Sequence, residues 1–213
     1  MAVIIPDDTL HIGKRVVDHW TLVNAALGAS PLVLKGSYSL ATFTVDLASL
    51  ESKLDAVPDV DNAAGLAQAE RNQARPAFKT RLKQFRAAVQ SKLSDTGFAS
   101  ELPMQPAVNT SEAAFLKVFN DMHSLWSRIN AAAIPDFTGP LVLAGGYTLT
   151  AFTQDLDALR ATYNQTRQAI DAAARLREER NSAMRVVWER IKQYRKGCIG
   201  SLDDGSTLLK TVP

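Results

Sequence analysis

Apolar side chains recur every three or four residues along the second half of the chain. Leu149, Phe152, Leu156, Leu159, Tyr163, Thr166, Ile170, Ala173, Arg177, Arg180, Met184, Val187, Ile191, Tyr194 and Cys198 follow one another in an alternation that never slips. This is the spacing of a heptad seam, so the pattern predicts one long helix over 148–198, about 75 Å at ~1.5 Å per residue. No proline or glycine lies between Gly146 and Gly197. A hairpin turning near 171–176 is the alternative, but Asp171-Ala-Ala-Ala-Arg-Leu176 offers helix formers and no turn residues.

The first half carries the same phase through Leu40, Phe43, Leu47, Leu50, Leu54 and Val57, then Asp61, Ala64, Gln68, Arg71 and Arg75, then Phe78, Leu82, Phe85 and Val89. Pro58, Gly65 and Pro76 interrupt it. An interior proline costs about 3 kcal/mol and removes a helical hydrogen bond, so this copy is expected to be kinked or broken near 57–62, and again near 75. A shorter stripe precedes each long one: Val16, Trp20, Val23 and Leu27, then Phe115, Val118, Met122, Leu125 and Ile129. Asp7 or Asp8 is the expected cap of the first short helix, and Thr110 or Ser111 of the second. A brief extended piece ending in Gly-x-Tyr follows each, and Ser39 and Thr148 stand where the long helices need caps.

The two patterns share letters as well as period. PLVLKGSYSLATFTVDLASL at 31–50 and PLVLAGGYTLTAFTQDLDAL at 140–159 agree at twelve of twenty positions, 109 residues apart. At the same offset, ERNQARPAFKTRLKQFR at 70–86 and ERNSAMRVVWERIKQYR at 179–195 agree at eight of seventeen. Trp20-Thr-Leu-Val-Asn-Ala-Ala26 returns as Trp126-Ser-Arg-Ile-Asn-Ala-Ala132. The expectation is an all-α, internally duplicated, elongated helical bundle with approximate two-fold symmetry. Its repeat units are 1–106 and 107–213, sharing one core because a lone unit buries too little.

Composition adds limits. A net charge of +2 in 213 residues does not demand a polyanionic partner. The single Cys198 excludes an internal disulfide, and no stretch reads as a signal peptide or a membrane span, so the cytoplasm is the expected location. His11, His19 and His123 form no metal-ligating spacing, and no acid, base and nucleophile cluster emerges; no cofactor, metal or enzymatic activity is expected. Cys198, in the seam, reads as a small buried group. The Gly-x-Tyr turns precede helix N-termini, which can hold anions, but they lack a phosphate-loop motif; a tight turn is the plainer reading.

Two sets of residues remain as candidates. The recurring block Arg-[Leu/Ile]-Lys-Gln-aromatic-Arg supplies Arg81, Lys83 and Arg86, then Arg190, Lys192 and Arg195; with Trp188 beside the seam, these are the interaction candidates. The block reads either as the rim of the bundle or as a paired basic patch for nucleic acid or an acidic protein. Arg71, Arg75, Arg177 and Arg180 form a polar interval in each seam that could fix helix register. Function is expected to be structural: a scaffold or assembly protein acting through helix-mediated self-association or a protein partner. Nucleic-acid binding is the second reading.

Overall fold

The computed structural model describes residues 5–213, of which three quarters are helical. Five α-helices and one 3₁₀ turn follow in order: α1 (Pro6–Leu27), α2 (Leu40–Lys92), the 3₁₀ turn (Gly97–Glu101), α3 (Glu112–Ala131), α4 (Leu149–Ser201) and the short α5 (Thr207–Lys210). No strand occurs among the described residues; the only pairing is an isolated bridge in each Gly-x-Tyr connector.

Helix α4 is continuous, as its uninterrupted seam predicts. Helix α2 is continuous as well, and here the expected break is corrected: it runs through Pro58, Gly65 and Pro76. Both prolines are exposed, while Val57, Ala64 and Phe78 on the same helix are buried. A proline penalty of about 3 kcal/mol is set against about 1.5–3 kcal/mol for each large side chain that the flanking turns keep buried. The cap of α1 is also corrected. Ile5 is the N-cap, Pro6 takes the first helical position, and Asp7 and Asp8 lie in the first turn beside the positive end of the helix. Ser111 caps α3 as expected, accepting from Ala114 N at 3.3 Å. Ser39 and Thr148 cap α2 and α4 through Thr42 N and Ala151 N, both at 3.3 Å.

The chain forms two compact units, each with its own core. Unit 1 joins the described residues up to Asn62 with 170–213: α1, the first part of α2, the last part of α4, and α5. Its core centres on Val16, Trp20, Phe43, Leu47, Ile191 and Tyr194. Unit 2 is 63–169: the rest of α2, the 3₁₀ turn, α3 and the first part of α4. Its core is richer in rings, with Phe78, Phe85, Phe115, Phe119, Trp126 and Phe152. The sequence halves 1–106 and 107–213 therefore each contribute to both units.

Candidate functional site

Each connector is built the same way. In unit 1, Leu34 and Tyr38 exchange main-chain hydrogen bonds of 2.9 and 3.3 Å around Gly36 (φ 81°) and Ser37 (φ 57°). In unit 2, Leu143 N donates to Tyr147 O at 2.9 Å around Gly145 (φ 76°) and Gly146 (φ 72°). Two successive left-handed residues let the chain reverse within three residues, a conformation glycine adopts without steric cost. The short helix then fixes the piece before the turn. Trp20 Nε1 donates to Leu32 O (3.2 Å), and Asn24 Oδ1 accepts from Leu32 N (2.8 Å). Trp126 and Asn130 do the same to Leu141, at 2.9 and 2.8 Å. Trp and Asn four residues apart share a helix face, so one turn of helix grips both polar groups of one leucine.

The tyrosine of each turn is held from two sides. Tyr38 OH donates to Asp46 Oδ2 at 2.6 Å, and Tyr147 OH donates to Asp155 Oδ2. The guanidinium of Arg190 lies 4.0 Å from the centre of the Tyr38 ring, and that of Arg81 lies 3.7 Å from the Tyr147 ring. These are cation–π distances. Burial, then the hydrogen bond to the neighbouring aspartate, pushes both tyrosine hydroxyls well above their ordinary range.

The basic block thus acquires a role for each letter. Its first arginine stacks on the connector tyrosine and is steadied by the glutamine three residues on: Arg81 to Gln84 at 3.0 Å, Arg190 to Gln193 at 2.8 Å. Its aliphatic residue, Leu82 or Ile191, is fully buried. Its aromatic packs on the tryptophan of the short helix, with ring centres 5.4 Å apart for Phe85–Trp126 and 4.8 Å for Tyr194–Trp20. Its last arginine ties down the segment after the long helix: Arg86 donates to Pro103 O and Arg195 to Pro213 O, both at 2.6 Å. Only the lysines, Lys83 and Lys192, remain exposed, and Lys192 pairs with Glu189.

The register candidates separate into two kinds. Arg75 donates to Tyr163 OH (2.9 Å) and Thr110 O (3.2 Å) and lies over the Phe115 ring. Arg177 pairs with Asp61 at 2.7 Å. Arg71 and Arg180 instead donate to Asn72 and Asn181, their own neighbours in sequence. Trp188 is half-buried against the unit 1 core, with the Arg195 guanidinium 5.8 Å from its ring.

One buried cluster escaped the sequence reading. His19 lies between Tyr194 OH (2.5 Å from Nδ1) and Leu208 O (2.8 Å from Nε2). Cys198 is buried alongside; desolvation raises its thiol, and burial followed by the Cys198 contact raises the Tyr194 hydroxyl. A signal was present: at the repeat offsets these residues match Leu125, Phe85 and Val89, so three side chains with polar atoms stand where the other half has apolar ones. A shallow groove between α2 and α4 of unit 1 is lined by Asp46, Ser49, Lys53, Glu179, Ser182, Ala183 and Val186, and the Lys53–Glu179 pair (3.1 Å) spans it. Among the described residues, no group of three or more His, Cys, Asp or Glu side chains is placed to hold a metal ion. No helix of the described residues is long and apolar enough to cross a membrane. The chain matches no protein-family model, no curated protein and no solved structure.

Proposed function

We propose that this is a non-catalytic structural or scaffold protein of the cytoplasm, an internally duplicated helical bundle that acts by associating with copies of itself or with a protein partner. The observation that carries this reading is the engagement of the basic block within its own units. Arg81 and Arg190 are each held by a connector ring, and Arg86 and Arg195 by a carbonyl of the segment after the long helix, which supports a role within the units for all four. The paired contacts around Leu32 and Leu141 support duplication, and burial at three- and four-residue intervals over 43–50 and 78–89 of α2 and over 152–166 and 187–198 of α4 supports coiled-coil-like packing there. Helical side faces with exposed Val45, Leu66 and Ile199 offer surface for association.

The test is a mass measurement over a wide concentration range, combined with electron microscopy. Oligomers or ordered assemblies are expected; a strict monomer at high concentration that also captures no protein partner would overturn the proposal. Nucleic-acid binding is the weaker reading, because the arginines it needs are engaged and Lys192 is paired. It requires retardation of DNA or RNA at low salt that fades steeply as salt rises.

A further inference from the structure

We infer that the two halves of the chain, 1–106 and 107–213, are receptor and ligand for each other: each presents a Trp–Tyr connector that the other half's Arg-x-Lys-Gln-aromatic-Arg block closes. The contacts are reciprocal. Arg81 and Phe85 of the first half lie on Tyr147 and Trp126 of the second. Arg190 and Tyr194 of the second lie on Tyr38 and Trp20 of the first. Neither connector is stacked by the arginine of its own half, and each unit takes one segment from each half.

Charge follows the same division. Residues 1–62 carry eight acidic and four basic side chains, and their partner segment 170–213 carries nine basic and six acidic. Residues 63–106 carry seven basic and three acidic, against five acidic and four basic in 107–169. In both units an acid-rich front segment meets a base-rich back segment, which favours pairing between halves. The peptide link between the halves passes through Met104 and Val108, both four-fifths exposed, so the link can be opened without cutting a helix. This inference concerns association within one molecule and stands whether or not the chain assembles with others.

The experiment uses the full chain with a protease recognition sequence inserted after Ala107. After cleavage, the two polypeptides are expected to elute together at the mass of the intact chain, with unchanged helix content. Their urea midpoint should become dependent on protein concentration, as mass action requires of a two-chain complex, while that of the uncut chain does not. Arg81→Glu or Arg190→Glu should weaken the cleaved complex by roughly tenfold, the scale of one lost cation–π contact. Lys83→Gln, at an exposed position of the same block, should change it by less than about twofold. Separation of the cleaved halves under native conditions, or loss of fold on cleavage, would overturn the inference. In either case the mass of the uncut protein, on which the scaffold proposal rests, would be unaffected.

Discussion

Unit 1 buries a histidine, a tyrosine and a cysteine where unit 2 buries leucine, phenylalanine and valine. The pairs are His19 and Leu125, Tyr194 and Phe85, Cys198 and Val89. In unit 1 a carbonyl, Leu208 O, faces His19 Nε2, so Nε2 is the donor to it, and Tyr194 OH is the partner of Nδ1. The histidine thereby fastens α5 to α1. Unit 2 has no such tie at Leu125. Its tail packs Phe98 and Leu102 on the core instead, while Arg128 of α3 pairs with Glu101. Space is filled differently too. At Gly13 an added Cβ would stand 2.4 Å from Leu47 Cδ1, whereas the matching Phe119 is fully buried against Phe78 and Phe115. Two apolar interiors that differ at these positions sit beneath the same connector contacts, and the polar groups of unit 1 are tolerated because each has a partner.

The most severe challenge to this comparison is alkali. Tyr38, Tyr147 and Tyr194 all have hydroxyls raised by burial in the folded state. The folded protein keeps these protons after an unfolded chain would release them. The stability they contribute is complete below the ordinary tyrosine value near ~10 and is lost as pH climbs above it. Unit 1 holds two of the three, plus the raised Cys198 thiol. Hydrogen exchange followed by mass spectrometry should show unit 1 opening at lower pH than unit 2; the reverse order would break the comparison.

Next in size is removal of the tryptophans. Trp20→Ala and Trp126→Ala should each cost about 3–5 kcal/mol in urea unfolding, since each empties a core site and frees a leucine carbonyl. Trp126 touches three rings (Phe85, Tyr147 and Phe152) and Trp20 two (Phe43 and Tyr194), so the unit 2 variant should be the more damaged. A smaller effect separates the two interiors directly. Tyr194→Phe leaves His19 Nδ1 buried without its hydrogen-bond partner and should cost about 1–3 kcal/mol. The triple change His19→Leu, Tyr194→Phe, Cys198→Val copies unit 2 and should recover most of that loss, while exchange at Leu208–Thr211 speeds up. If the triple variant is less stable than Tyr194→Phe alone, the interiors are not interchangeable. The finest distinction lies in the turns. Gly146→Ser should cost about 1 kcal/mol, and Ser37→Gly should change stability by less, because glycine relieves a left-handed residue but loses more entropy on folding. Thermal melts of the two variants read the difference.

Much of the architecture was legible in the chain. The seam over 149–198 gave helix α4, and the caps Ser39, Ser111 and Thr148 marked helix starts because short hydroxyl side chains satisfy free amide groups there. The block Arg-x-Lys-Gln-aromatic-Arg stood out by recurring, yet its role did not, because a basic helical face reads the same whether its arginines meet water, nucleic acid or a tyrosine ring. The His19 cluster was hidden for a related reason. A histidine in a moderately polar helix looks solvated until a tail some 190 residues later brings a carbonyl to its ring.

Periodicity and recurrence by themselves determined helix α4 and the paired connectors, since both are properties of neighbours along the chain. Which connector each block closes was decided only by the tertiary structure. Both copies spell the same code, so either match satisfies the letters. The deciding fact is how each unit is assembled: unit 1 packs 170–213 with the start of α2, which brings Arg190 onto Tyr38, and unit 2 packs 63–106 with 107–169, which brings Arg81 onto Tyr147.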